Sequence, residues 1–190
     1  MVQEKTGIKP ISKIIKLMIK FLFSSTNKVY GLVFAVSLSL IIIALFFEYI
    51  LLLEPCLLCY AQRYSVYLLL IFSLIALSHI NHSLTFFRIY LSVFSFITIM
   101  GGAFSLRQLY LQGLPKEQLP SCGPDLEYLL ESLPLLDVLL KIIQGDGKCA
   151  EVAWSFLGIS IPGWVLVALT FLLIYILCSF YFSKKLHFKN

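Results

Sequence analysis

Charge is what this sequence has least of. Asp, Glu, Lys and Arg make up only 13% of its 190 residues, against 59% hydrophobic residues; a soluble domain carries about a quarter charged and about half apolar. A soluble core of this length cannot hide so much apolar surface, so the solvent is expected to be lipid. The chain also contains no internal repeat and no low-complexity segment. No small-x-small cleavage site follows the first apolar run, and the run and its basic leader are both too long for a signal peptide. It is therefore read as a permanent helix.

The little charge there is has been sorted. Lys5, Lys9, Lys13, Lys16, Lys20 and Lys28 crowd the N-terminus, and Lys184, Lys185 and Lys189 close the C-terminus. Residues 114–151 are acidic instead, with Glu117, Asp125, Glu127, Glu131, Asp137, Asp146 and Glu151 against Lys116, Lys141 and Lys148. Basic ends beside apolar runs read as loops on the cytoplasmic lipid surface, not as a nucleic-acid patch.

Four apolar runs, at about 29–53, 64–80, 89–106 and 161–182, approach the ~20 residues that span a hydrocarbon core. The second is short and is expected to begin at Pro55, because proline suits a first helical position and pushes Glu54 out of the helical region. The predicted fold is an all-α membrane protein, a four-transmembrane-helix bundle with a long outer loop carrying short surface helices. Its parts are a basic leader at 1–28, a membrane domain at 29–182 with spans near 29–53, 55–80, 89–106 and 161–182, and a tail at 183–190. Both termini then face the cytoplasm, and the loops at about 54–63 and 107–160 lie outside. In the leader, Ile11, Ile14, Ile15, Met18 and Leu22 share a helical face opposite most of the lysines, as in a helix lying on the inner leaflet; a frayed basic tail is the alternative. The stretch 125–143 is too polar and too interrupted to span, and fits one or two short helices on the outer surface.

Of the five cysteines, Cys56, Cys59, Cys122 and Cys149 fall in the two outer loops, where disulfides persist. Cys56 and Cys59 are expected on one face of the first turn of the second helix. There the free N–H groups and the helix dipole lower a thiol pKa. Arg63 follows on the same face, able to hold a thiolate or a reduced quinone. A structural disulfide or a zinc site are the alternatives. In the loop-entropy model so short a bridge contributes only about 2 kcal/mol, against about 3.6 kcal/mol for a bridge from Cys122 to Cys149. A Cys-x-x-Cys bridge is thus poorly suited to stapling and well placed to exchange. A zinc site would need all four to converge, and no metal is expected. Cys122 and Cys149, in a loop that reads as mobile, could carry a disulfide to a soluble partner or simply staple the loop. Cys178 reads as a small buried hydrophobe. Glu48 is left between a functional intramembrane acid and a solvated boundary residue. His79, His82 and His187 read as helix-end residues, and Trp154, Trp164, Tyr110 and Tyr175 mostly as interface markers.

Pro55-Cys56-Leu57-Leu58-Cys59 with Arg63, then Leu119-Pro120-Ser121-Cys122-Gly123-Pro124, then Gly147-Lys148-Cys149-Ala150-Glu151 through Trp154, Phe156-Leu157-Gly158 and Ile161-Pro162-Gly163-Trp164, resemble the disulfide-bond-formation protein B (DsbB) family. The resemblance covers about residues 30–180. It implies a protein-dithiol:quinone oxidoreductase of the bacterial inner membrane. Cys122 would form the mixed disulfide with a periplasmic thioredoxin-fold thiol oxidase of the DsbA type, and Cys149 would be its partner in the loop disulfide. Electrons would pass to Cys56–Cys59, and Cys59 would donate to ubiquinone or menaquinone from the membrane pool near Arg63. The competing reading is a four-span scaffold with stapled outer loops; the same apparatus run in reverse, as a reductant, is a third.

Overall fold

Thr26–Tyr49 (α1), Leu57–Ser78 (α2), Leu84–Gln112 (α3) and Ile161–His187 (α6) are each apolar around most of their circumference. All four are long and apolar enough to cross a membrane. The computed structural model describes residues 25–79, 83–121, 123 and 126–187, without the side chains of Lys116 and 182–187. The leader up to residue 24, Cys122 and His82 lie outside the described residues.

α3 lies between α2 and α6, α1 packs on α2, and a thinner contact between α1 and α6 closes the bundle. α1 buries Thr26, Val29, Tyr30, Val33, Ser37 and Ile41, a helical repeat of one face. Tyr30 is the hub of the first core: its ring meets Phe87, Tyr90 and Phe94 at centroid distances of 5.7, 5.7 and 6.1 Å. Large side chains such as Phe96 and Phe171 stay 65% and 69% exposed. An apolar exterior over an apolar core marks helices whose solvent is lipid. Gly101 lets α3 approach both neighbours: a Cβ there would stand 3.1 Å from Leu169 Cδ1 and 3.2 Å from Ser65 Cβ.

The element boundaries shift at the loop end of the bundle, and each shift has a local cause. α1 ends at Tyr49 rather than near residue 53, and Leu52 takes a positive φ of 53° in the connection that follows. α2 begins at Leu57, with Cys56 as its N-cap in extended conformation, so Pro55 precedes the helix instead of opening it. α3 continues to Gln112, beyond the apolar run that closed near residue 106. Arg107, Gln108 and Gln112 ended the hydropathy signal without ending the helix, because Gln108 finds hydrogen-bond partners inside the bundle.

The long loop folds into two short helices, Leu126–Ser132 (α4) and Leu135–Gln144 (α5), separated at Pro134. A 3-10 turn at Gly147–Ala150 follows, then a small antiparallel hairpin of Ser155–Phe156 (β1) and Ile159–Ser160 (β2). Both hairpin turn residues, Leu157 and Gly158, have positive φ, at 54° and 77°, as two-residue turns that match strand twist require. The sequence reading did not anticipate this hairpin. α4 and α5 contribute Leu129 and Val138 to a second core, shared with Leu57, Leu58 and Leu111 from α2 and α3 and with Cys56 and Cys149. The segment bearing Cys149 is therefore docked on the bundle, where the sequence suggested a mobile loop.

Candidate active site at the loop end of the bundle

Cys56 and Cys59 come together because one caps α2 and the other lies in its first turn. Their sulfurs are 3.1 Å apart. From α3, Gln108 Nε2 lies 3.3 Å from each sulfur. Gln108 Oε1 accepts a hydrogen bond from Gln62 Nε2 at 2.7 Å, and the Cys59 thiol also reaches it at 3.6 Å.

Cys149 is brought to the same place by different means. Asp146 caps its 3-10 turn, and Asp146 Oδ1 accepts the Cys149 backbone N–H at 3.1 Å. Cys149 is fully buried and shares the second core with Cys56. The Cys56 thiol is pushed up from its ordinary pKa, first by its neighbour Cys149, then by its bond with Cys59 and by burial. The lowering expected of Cys56 at a helix N-terminus is thus overridden by its sulfur neighbours. Gly123 lies against Asp146, close enough that a Cβ on it would be 3.8 Å from Asp146 Cβ. Cys122 itself lies outside the described residues. Cys178 is half-buried in α6, about 25 Å of helical rise from Ile161, and is remote from this cluster.

Arg63 forms a close ion pair with Glu48 across the α1–α2 contact, and its guanidinium also stands 5.9 Å from the Tyr60 ring centroid. The two charged side chains are only 13% and 22% exposed. Glu48 is thereby resolved as the partner of Arg63 rather than a lone boundary acid.

A cavity of about 510 Å³ opens beside these groups, within the range of small-molecule sites. Cys59, Gln62, Arg63, Glu48 and Gln108 are among its polar lining, with Glu54, Lys148 and Glu151, and Leu40, Phe47, Trp154 and Val165 are among its apolar lining. Trp154 is held there by Phe47, 5.0 Å away between ring centroids, and by stacking on Phe156 of the hairpin. The cavity thus combines apolar side chains with donors from Gln62, Arg63 and Gln108 beside the two sulfurs.

Of the residues singled out in the sequence, Cys56, Cys59, Cys149 and Arg63 lie together at this end of the bundle, whereas Gln62, Gln108 and the place of Trp154 in the cavity wall were not anticipated. The signal for the two amides was present: a polar side chain inside a membrane helix must find a partner or be costly.

The family profile described as Disulfide bond formation protein DsbB matches residues 26–179. A Disulfide bond formation protein B of Hahella chejuensis is 45% identical over 144 residues, covering 75% of this chain and 87% of that protein. One from Marinobacter nauticus is 41% identical over 146 residues, covering 77% and 86%. One from Saccharophagus degradans is 42% identical over 137 residues, covering 72% and 82%. With its cysteine end built on four membrane-length helices, the chain belongs to the DsbB family of multi-pass bacterial membrane oxidoreductases of disulfide bond formation.

Proposed function

We propose that this protein reoxidises a soluble thioredoxin-fold thiol oxidase of the DsbA type and delivers the electrons to a membrane quinone, ubiquinone or menaquinone. The observation that carries the reading is the grouping of the sulfurs: buried Cys149 shares a core with Cys56, Cys56 lies 3.1 Å from Cys59, and the Cys56–Cys59 pair lines the cavity. Sulfurs so grouped suit a chain of thiol–disulfide exchanges, each an attack of a thiolate on a disulfide sulfur.

The partner's thiolate attacks Sγ of Cys122 in a Cys122–Cys149 disulfide, and Cys149 leaves as a thiolate. Sγ of Cys149 then attacks Sγ of Cys56, forming the Cys56–Cys149 bond as the Cys56–Cys59 bond breaks. The electron pair of the broken bond remains on Sγ of Cys59, at the cavity wall. The partner's second thiolate would then displace Cys122 from the mixed disulfide, and the Cys122 thiolate would restore the Cys122–Cys149 bond and release Cys56. A bound quinone would supply the oxidising power by accepting the two electrons and two protons of Cys56 and Cys59, so that the net change is partner dithiol to disulfide and quinone to quinol. Arg63, braced by Glu48, holds positive charge near the place where negative charge develops.

The positive-inside pattern of the leader and the tail supports cytoplasmic termini, with the cysteine loops in the periplasm. The apolar face of α5, where Leu135, Leu136, Leu139 and Leu140 stay exposed, suits contact with the outer leaflet.

The test is quinone absorbance with purified protein in detergent and a reduced thioredoxin-fold oxidase as donor. Catalytic loss of oxidised quinone, abolished separately by Cys122→Ser and Cys59→Ser, is the expected result. A folded, oxidised protein that turns over no quinone with any of several donors and quinones would replace this reading with the scaffold.

A further inference from the structure

Two amides are buried where helices facing lipid would be expected to carry apolar side chains. Gln62 and Gln108 are 5% and 3% exposed, and a carboxamide inside a bundle is costly unless its donors and acceptors are engaged. Gln62 Nε2 donates to Gln108 Oε1 at 2.7 Å. That contact sets which end of the Gln108 amide turns toward the cysteines, and the NH2 it leaves facing them carries two hydrogens. Its nitrogen is 3.3 Å from Cys56 Sγ and 3.3 Å from Cys59 Sγ, so one fork reaches both sulfurs.

We infer that Gln108 is a catalytic residue whose two amide N–H groups hold the Cys56 and Cys59 sulfurs and stabilise the thiolate released when their disulfide opens, with Gln62 as its positioning residue. This rests on the reading of Cys56–Cys59 as the redox pair. In the exchange step the Cys149–Cys56 bond forms, the Cys56–Cys59 bond breaks, and the electron pair stays on Sγ of Cys59. A disulfide sulfur is neutral and a weak acceptor. A thiolate takes charge-assisted hydrogen bonds, roughly twice as strong as neutral ones. The Gln108 contact therefore strengthens as charge develops, which is the condition for an interaction that accelerates a step instead of only binding its reactants. Arg63, engaged by Glu48, acts on that charge from beyond contact, whereas the amide touches the reacting atoms.

Stabilising the reduced form also makes a disulfide more oxidising, and that equilibrium can be read without turnover. The experiment equilibrates the full-length chain in detergent with a glutathione buffer, carrying Cys122→Ser and Cys149→Ser so that Cys56–Cys59 is the pair that titrates. Alkylation and peptide mass then give the oxidised fraction. Gln108→Leu and Gln108→Glu are each expected to shift the equilibrium about tenfold toward the disulfide, a fall in potential of about 30 mV. Gln62→Leu is expected to move it the same way by about two- to threefold, because Gln108 keeps its donors but loses its fixed orientation. Gln108→Glu retains the size of Gln108 and the acceptor for Gln62 while losing the NH2, and it decides the matter where the leucine variant does not fold. An unchanged equilibrium in folded Gln108→Glu protein overturns the inference. Neither quinone nor partner protein enters this measurement. A shifted equilibrium in a chain that never reduces quinone would sink the proposed function and leave the Gln108 contact standing; the reverse pattern would sink only the role of Gln108.

Discussion

Gly145 is pressed against Leu58 so closely that a Cβ on it would stand 2.9 Å from Leu58 Cδ1, and 2.7 Å from Leu111 Cδ1. Its φ of 71° independently excludes most side chains. One glycine thus both ends α5 and seats the long loop on α2 and α3. Gly145→Ala combines a left-handed residue with overpacking, together about 2–4 kcal/mol against the docked loop. The expected outcome is a folded bundle in which, with both proteins fully reduced, Cys149 reacts with maleimide much faster than in the parent. Turnover with a protein donor should fall by about tenfold or more. Alkylation rates at Cys149, resolved by peptide mass, check the first expectation.

The Arg63–Glu48 pair predicts a different kinetic pattern. Hydrogen bonds to a charged group are worth about 1.5–3 kcal/mol, so Arg63→Met is expected to raise the quinone KM by roughly 10- to 100-fold. Glu48→Gln should have a smaller effect, because an amide oxygen still accepts from the guanidinium. In the double variant, Glu48→Gln should add almost nothing to Arg63→Met, since its role is exerted through Arg63. Steady-state kinetics with a water-soluble quinone analogue over the four proteins test this. Additive losses would show that Glu48 acts independently of Arg63.

Cys178 predicts silence. It is half-buried in α6 and far along that helix from the cysteine cluster. Cys178→Ser is expected to leave turnover within about twofold of the parent, at a stability cost of about 1 kcal/mol for an added hydroxyl that can bond back within the helix. A large fall in quinone reduction, measured on protein of unchanged melting temperature, would require a role that this geometry does not provide.

What was legible in the sequence followed from one-dimensional signals. Hydropathy located the four long helices, and the spacing of Cys56, Cys59 and Arg63 put them on one end of one helix. The boundaries failed where polarity and helicity part company: Gln108 reads as the end of an apolar run, yet it is satisfied by Gln62 and two sulfurs contributed from α2. Glu48 could not be assigned because its partner is on another helix. The docking of the loop depends on Leu129, Val138 and Gly145 meeting Leu58 and Leu111, contacts between segments far apart in sequence that no local pattern encodes. The hairpin at 155–160 left only a Leu157-Gly158 pair, too weak a turn signal beside the long apolar run that follows it.

The grouping of the sulfurs yields the sharpest covalent prediction. Cys149 is buried, and it shares a core with Cys56, Leu57 and Leu58. A chain lacking the two flanking cysteines, Cys59→Ser with Cys122→Ser, is therefore expected to oxidise to a Cys56–Cys149 disulfide in high yield, detected by non-reducing peptide mass. The exchange geometry depends on the turn that Asp146 caps, where its carboxylate accepts the Cys149 N–H at 3.1 Å. Losing such a cap costs about 1 kcal/mol, so Asp146→Ala should slow formation of that bond by about fivefold while leaving the bundle intact. A Cys56–Cys149 bond that forms no faster than a bond from Cys56 to Cys178 would mean that proximity at the loop end does not govern the exchange, and the relay would have to run through the Cys122 side alone.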